Sequence, residues 1–168
     1  MVMRRFRRAG LGVLFLALLA SACASPAPKA ILAIAPAQDG GVRLLLADCP
    51  DYRATDLSLF ADVEGETGKW SVRNDGGASS VRDFGVLQDP PEGWTSTGSG
   101  LTALRDGVPY VARVDGGVRE RVLKGRVPFT LADVRDLAED QVLVWSGGEE
   151  SEAVGRADFL RSEERCSP

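Results

Sequence analysis

The sequence predicts a mainly β protein, a small antiparallel β-sandwich that finishes with one or two short helices near its C-terminus. Three observations carry this expectation. Short apolar stretches alternate with polar residues at a period of two, as Leu57, Leu59 and Ala61 do against Asp56, Ser58 and Asp62. Turn signals separate them at Asp39-Gly40-Gly41, Asn74-Asp75-Gly76-Gly77, Asp106-Gly107 and Asp115-Gly116-Gly117, supplying the positive φ that tight hairpins demand. Helical three-residue spacing emerges only late, at Leu131, Val134 and Leu137. Several short strands punctuated in this way make a sandwich or a barrel.

Residues 1–22 read as a signal peptide rather than as fold. Arg4, Arg5, Arg7 and Arg8 stand without an acid ahead of an unbroken apolar run at residues 11–20, LGVLFLALLA. A basic segment followed by so short an apolar one is a secretory address, and it falls well below the roughly 20 residues that span a bilayer. A retained transmembrane helix is the alternative. The stretch Leu19-Ala20-Ser21-Ala22-Cys23 then resembles the lipobox of bacterial lipoproteins, with Ala20 where leucine is commoner. The resemblance implies that Cys23 is acylated and becomes the new N-terminus, so that membrane lipid is the first partner. It implies a protein lipid-anchored to the cell membrane and facing its extracytoplasmic side. Two acyl chains hold where one is marginal, because each buried methylene contributes about 0.8 kcal/mol. Ordinary secretion with cleavage after Ala22 is the competing outcome. The first 22 residues hold four arginines and no acid, so the chain from Cys23 onward carries −8 where the whole carries −4. Such a balance argues against nucleic acid as a partner.

Residues 23–41 follow as the lipidated cysteine and a tether, with Pro26, Pro28 and Pro36 among alanines favouring extended chain over a sheet interior. Two readings of Ile31, Leu32 and Ile34 stand there: a short edge strand docked on the domain, or a segment lying near the lipid surface. Residues 42–168 form the disulfide-stapled β-rich domain. Strands are expected over residues 42–48, around Leu57 to Ala61, at Trp70 and Val72, and over residues 81–87, 108–114 and 141–146. Thr130 followed by Asp133 has the form of a helix N-cap with an acid in its first turn, opening about two helical turns. Residues 156–165, with Phe159 and Leu160, form a possible last helix.

Within this pattern Leu104, Gly107 and Tyr110 carry the spacing of a tyrosine corner, and residues 101–114 are similar to the corresponding segment of fibronectin type III and other immunoglobulin-like domains. The resemblance implies an immunoglobulin-like sandwich in which the Tyr110 hydroxyl bonds back to nearby backbone. It implies no function. With Cys23 lipidated, Cys49 and Cys166 remain, and an oxidising compartment favours a bond between them. That bond closes a loop of 118 residues, and no C-x-x-C spacing supports a redox pair instead.

The chain has no histidine, which removes Ser-His-Asp, Cys-His and His-ligated metal chemistry. None of Lys29, Lys69 and Lys124 has a serine three residues before it, and no G-x-S-x-G elbow or P-loop occurs. No cofactor and no metal are expected, and no catalytic residue is assigned. Asp48 and Asp51, and Glu149, Glu150 and Glu152, are acidic clusters read as solvated surface, with calcium as the alternative. Trp94 follows the stiff segment Asp89-Pro90-Pro91-Glu92-Gly93. It is either an anchor presented to a protein or glycan partner or a cap on the core. The resulting expectation is a membrane-anchored, non-catalytic interaction module that binds an envelope protein or glycan. A carboxylate-based envelope hydrolase and a purely structural envelope component are the alternatives.

Overall fold

A computed structural model describes residues 29–65, 68–76, 81–161 and 166. Residues 1–22, expected as a signal peptide, and Cys23, expected as the lipid site, lie outside the described residues. Two five-stranded antiparallel sheets face each other across one apolar core. The first contains β1 (Leu32–Pro36), β2 (Val42–Leu46), β5 (Asp83–Gly85), β9 (Gln141–Gly147) and β10 (Glu150–Gly155), in the order β10-β9-β1-β2-β5. The second contains β3 (Tyr52–Ala61), β4 (Lys69–Asn74), β6 (Trp94–Ser99), β7 (Tyr110–Val118) and β8 (Arg121–Phe129), in the order β6-β4-β3-β7-β8. Two short helices, α1 (Leu131–Arg135) and α2 (Arg156–Arg161), complete it. The mainly β class and the two short C-terminal helices are as the sequence leads one to expect.

The tether does not extend to residue 41. β1 is the central strand of its sheet, paired on one side with β2 (Ile34 opposite Leu44) and on the other with β9 (Ile34 opposite Leu143). Ile31, Leu32, Ala33 and Ile34 are fully buried. The physical reason is in the residues: a strand covered on both faces needs an unbroken apolar run, not alternation, and residues 31–35 (ILAIA) provide one. Pro36 sits at the last pair of the strand, opposite Val42, where its missing N–H costs least.

The chain reaches β1 by crossing from the other sheet. Lys29 forms a parallel bridge with Gly125 on β8 and donates its backbone N–H to the Lys124 carbonyl at 2.7 Å. Gly125 makes this approach possible, because a Cβ there would lie 2.9 Å from Val114 Cγ1 and 3.0 Å from Ile31 Cγ1.

Facing residues of both sheets build the core, with Leu44, Leu57, Leu59, Phe84 and Tyr110 among its largest members. Thr130 caps α1 through a reciprocal box with Asp133, and Val134 turns inward from the helix. Phe159 of α2 is fully buried. Cys49, just before β3, is bonded to Cys166 with a Cα–Cα distance of 5.2 Å, so the staple ties the end of the chain to the turn between β2 and β3.

Trp94 is not a presented anchor. It is only 5% exposed, and its ring meets Phe84 edge-on at a centroid distance of 4.8 Å, which joins the edge strand β6 of one sheet to the edge strand β5 of the other. The stiff Pro-Pro-Glu-Gly segment turns the indole inward. Tyr110 begins β7, is 1% exposed, and its hydroxyl accepts the Arg105 backbone N–H at 2.8 Å. Leu104 is half-buried, and Gly107 takes a φ of 72° between them. Tyr110→Phe is expected to lower stability by about 1 kcal/mol, the usual contribution of one hydrogen bond. Urea melts at unchanged m-value check it, and an unmoved midpoint would show that the hydroxyl contributes nothing.

Candidate binding surface at one end of the sandwich

The hairpin between β7 and β8 closes in the two-residue turn Arg119-Glu120, where Arg119 holds a left-handed φ of 54°. Beside it, Asp51 takes a φ of 61° as the chain leaves the disulfide turn to enter β3. Gly116 and Gly117 lie on β7, paired with β3 on one side and β8 on the other. At Gly116 a Cβ would come within 2.3 Å of the Arg53 carbonyl, so the bulged pairing of β3 with β7 requires glycine there. The absence of side chains leaves an open, shallow concavity of about 640 Å³ floored by this backbone.

Arg53, Arg119 and Arg121 line it together with Thr55, Asp51, Glu120 and Val122. All three arginines are exposed and none forms an ion pair among the described residues. Four arginines elsewhere are held by carboxylates: Arg43 by Asp83 (2.7 Å), Arg73 by Asp56 (2.9 Å), Arg126 by Glu149 (2.7 Å) and Arg135 by Asp106 (2.8 Å). Unengaged guanidinium groups in a fork geometry are suited to carboxylate or phosphate oxygens. Val122, 53% exposed, is one of two large apolar side chains left in solvent among the described residues. Tyr52 lies beneath, donating its hydroxyl to the Leu123 carbonyl at 3.4 Å. Burial pushes its phenol far above the usual range, so it serves as a floor and carries no charge into the site.

A second concavity, of about 470 Å³, lies at the β1–β2 turn and is lined by Asp39, Arg43, Asp83, Gln88 and Arg156. Its charges satisfy one another. Arg43 binds Asp83, which raises the arginine pKa through their hydrogen bond, and Gln88 donates to Asp39 at 3.3 Å.

The chain matches no protein-family model, no curated protein and no solved structure.

The acidic clusters separate in space. Asp51 joins the arginine concavity, whereas Glu149 accepts two hydrogen bonds from Arg126 at 3.0 and 2.7 Å. The Arg126 hydrogen bond and charge hold the Glu149 carboxyl below its ordinary range. Among the described residues no three His, Cys, Asp or Glu side chains are grouped to hold a metal ion, and no helix is long and apolar enough to cross a membrane. Reasoning from sequence missed the three arginines. Their signal was present in the run Arg119-Glu120-Arg121, a local basic excess in an acidic domain; the turn falls at Arg119-Glu120, whereas Asp115-Gly116-Gly117, expected as a turn, lies inside β7. Arg53, far away in sequence, joins them only through the β3–β7 pairing.

Proposed function

We propose that the protein is a bacterial lipoprotein, anchored through acylated Cys23 to the extracytoplasmic side of the cell membrane, whose domain is a non-catalytic binding module of the envelope. The Cys49–Cys166 disulfide is the observation that carries this reading, because such bonds persist in exported chains and are rare in the reducing cytosol. It agrees with the basic, apolar and Leu-Ala-Ser-Ala-Cys sequence of residues 1–23. Within the module, the arginine concavity is the surface with unspent recognition chemistry.

The finer fold reading is immunoglobulin-like. Under it β1, β2 and β5 stand for strands A, B and E, and β3, β7 and β8 for strands C, F and G. Tyr110 then opens the F-equivalent strand, as a tyrosine corner requires. β6 at one sheet edge and the β9–β10 hairpin beside β1 are additions to that plan.

A carboxylate hydrolase finds less support. Asp56 and Asp115 are direct cross-strand neighbours on the outer face of the β3–β7 sheet. Each is held by a cation, Arg73 at 2.9 Å and Lys124 at 3.4 Å, and both are partly exposed, which suits surface pairing rather than acid–base work.

Mass spectrometry of the mature protein tests the anchor. The N-terminal peptide is expected to begin at Cys23 and carry a diacylglyceryl group, and Cys23→Ser is expected to abolish fatty-acid labelling. A mature N-terminus elsewhere, or an unmodified Cys23, overturns it.

A further inference from the structure

We propose that the Arg53, Arg119 and Arg121 concavity is the face on which the domain rests against its own membrane, its guanidinium groups taking the phosphates of anionic phospholipid headgroups. The inference rests on the lipid anchor at Cys23. Only five residues lie between Cys23 and Lys29, and those six Cα–Cα steps span at most about 20 Å even when fully extended. With β1 in the core, the leash is a third of what a tether reaching residue 41 allows, so one particular end of the domain is held near the lipid.

The direction of Lys29 selects which end. It runs parallel to β8 at Gly125 and donates its N–H to the Lys124 carbonyl, so its N-terminal side faces the Arg121 end of β8. The face found there fits a lipid surface. Its three arginines are free of carboxylate partners, and Val122 projects beside them as an exposed apolar group. Asp51 and Glu120 share the concavity and leave a single net positive charge. From Cys23 on, the chain is otherwise strongly acidic, so an anionic bilayer repels the rest of its surface and leaves this end as the favoured contact. Basic groups near such a surface contribute about fivefold each, about 1 kcal/mol.

The test uses the natively lipidated full chain reconstituted into vesicles of phosphatidylglycerol and phosphatidylcholine, or of phosphatidylcholine alone. Amide hydrogen exchange is read over residues 117–122. Several-fold protection is expected on the phosphatidylglycerol vesicles. Arg121→Glu is expected to remove it, and Lys69→Glu, the same charge change at the opposite end of the sandwich, is expected to leave it. Absence of protection while the protein co-floats with the vesicles overturns the headgroup contact and leaves the anchor standing. Equal protection in the Arg121→Glu variant also overturns it. Protection produced by inorganic phosphate in detergent, with none on vesicles, overturns it in favour of a soluble anion. Failure to co-float overturns the anchor itself, and the contact with it.

Discussion

Replacing Cys49 and Cys166 together by serine is expected to lower the unfolding free energy by up to about 5 kcal/mol. The two residues are 117 positions apart, so nearly the whole domain lies inside the closed loop, and cross-linking so long a loop removes much of the freedom of the unfolded chain. A domain of this size has only about 5–15 kcal/mol of stability in total, so the variant is expected to be largely unfolded at 37 °C or near its midpoint. Cys49 is buried at the start of the turn into β3, and the sulfur also helps fill the core there. Reduction of the wild-type protein under native conditions is expected to produce the same shift in denaturant midpoint without changing any atom but sulfur. A midpoint that moves by less than about 1 kcal/mol would mean that the ends are held by packing alone, chiefly by Phe159 of α2.

Ile34→Ala is expected to cost about 3–4 kcal/mol, within the span of about 2–5 found for buried isoleucine truncation. Ile34 is 0% exposed. It lies on the central strand of its sheet, opposite Leu44 on one side and Leu143 on the other, where neither neighbour can move inward to fill the space without disturbing a paired strand. The same substitution in a linker changes stability by no more than a few tenths of a kcal/mol. Chemical denaturation therefore separates the two assignments of residues 31–36 cleanly, and a neutral result contradicts the placement of β1.

Much of the β character was legible because local chemistry and fold agreed. β3 alternates Leu57, Leu59 and Ala61 inward, β7 begins with alternating Tyr110, Ala112 and Val114, and the capping pair Thr130 and Asp133 opens α1. Three strands did not announce themselves, and β1 was legible only as one of two readings, and as an edge strand. β1 is apolar at nearly every position, so it lacks alternation, and Pro36 together with Pro26 and Pro28 ahead of the strand suggested extended chain instead. β6 reads WTSTGS, a polar edge strand with almost no apolar signal. β8 carries Gly125 and Pro128 in its interior, residues that normally weaken a strand. Here the glycine is needed where the chain crosses at Lys29, and the proline lies on an edge strand. β10, also at an edge, reads ESEAVG and is held by β9 alone.

The candidate surface was less legible for a different reason. Arg119 and Arg121 are neighbours in sequence, yet a charge pair on a turn says nothing without its surroundings. What makes it a surface is Arg53, brought alongside by β3, and the bare backbone at Gly116 and Gly117. Trp94 shows the converse. A tryptophan behind two prolines has the sequence form of a presented anchor, and tertiary packing against Phe84 turned it into core.

The position of β1 also sets an order of events during synthesis. Its two neighbours are β2, a few residues away, and β9, more than a hundred residues later. The first sheet therefore has a gap beside β1 until residues near Val144 have been made, and the disulfide waits for Cys166. Long-range pairing of this kind is slow because the loop must close before any contact rewards it. A sheet whose central strand gains its second partner this late stays open on that side until β9 has been made.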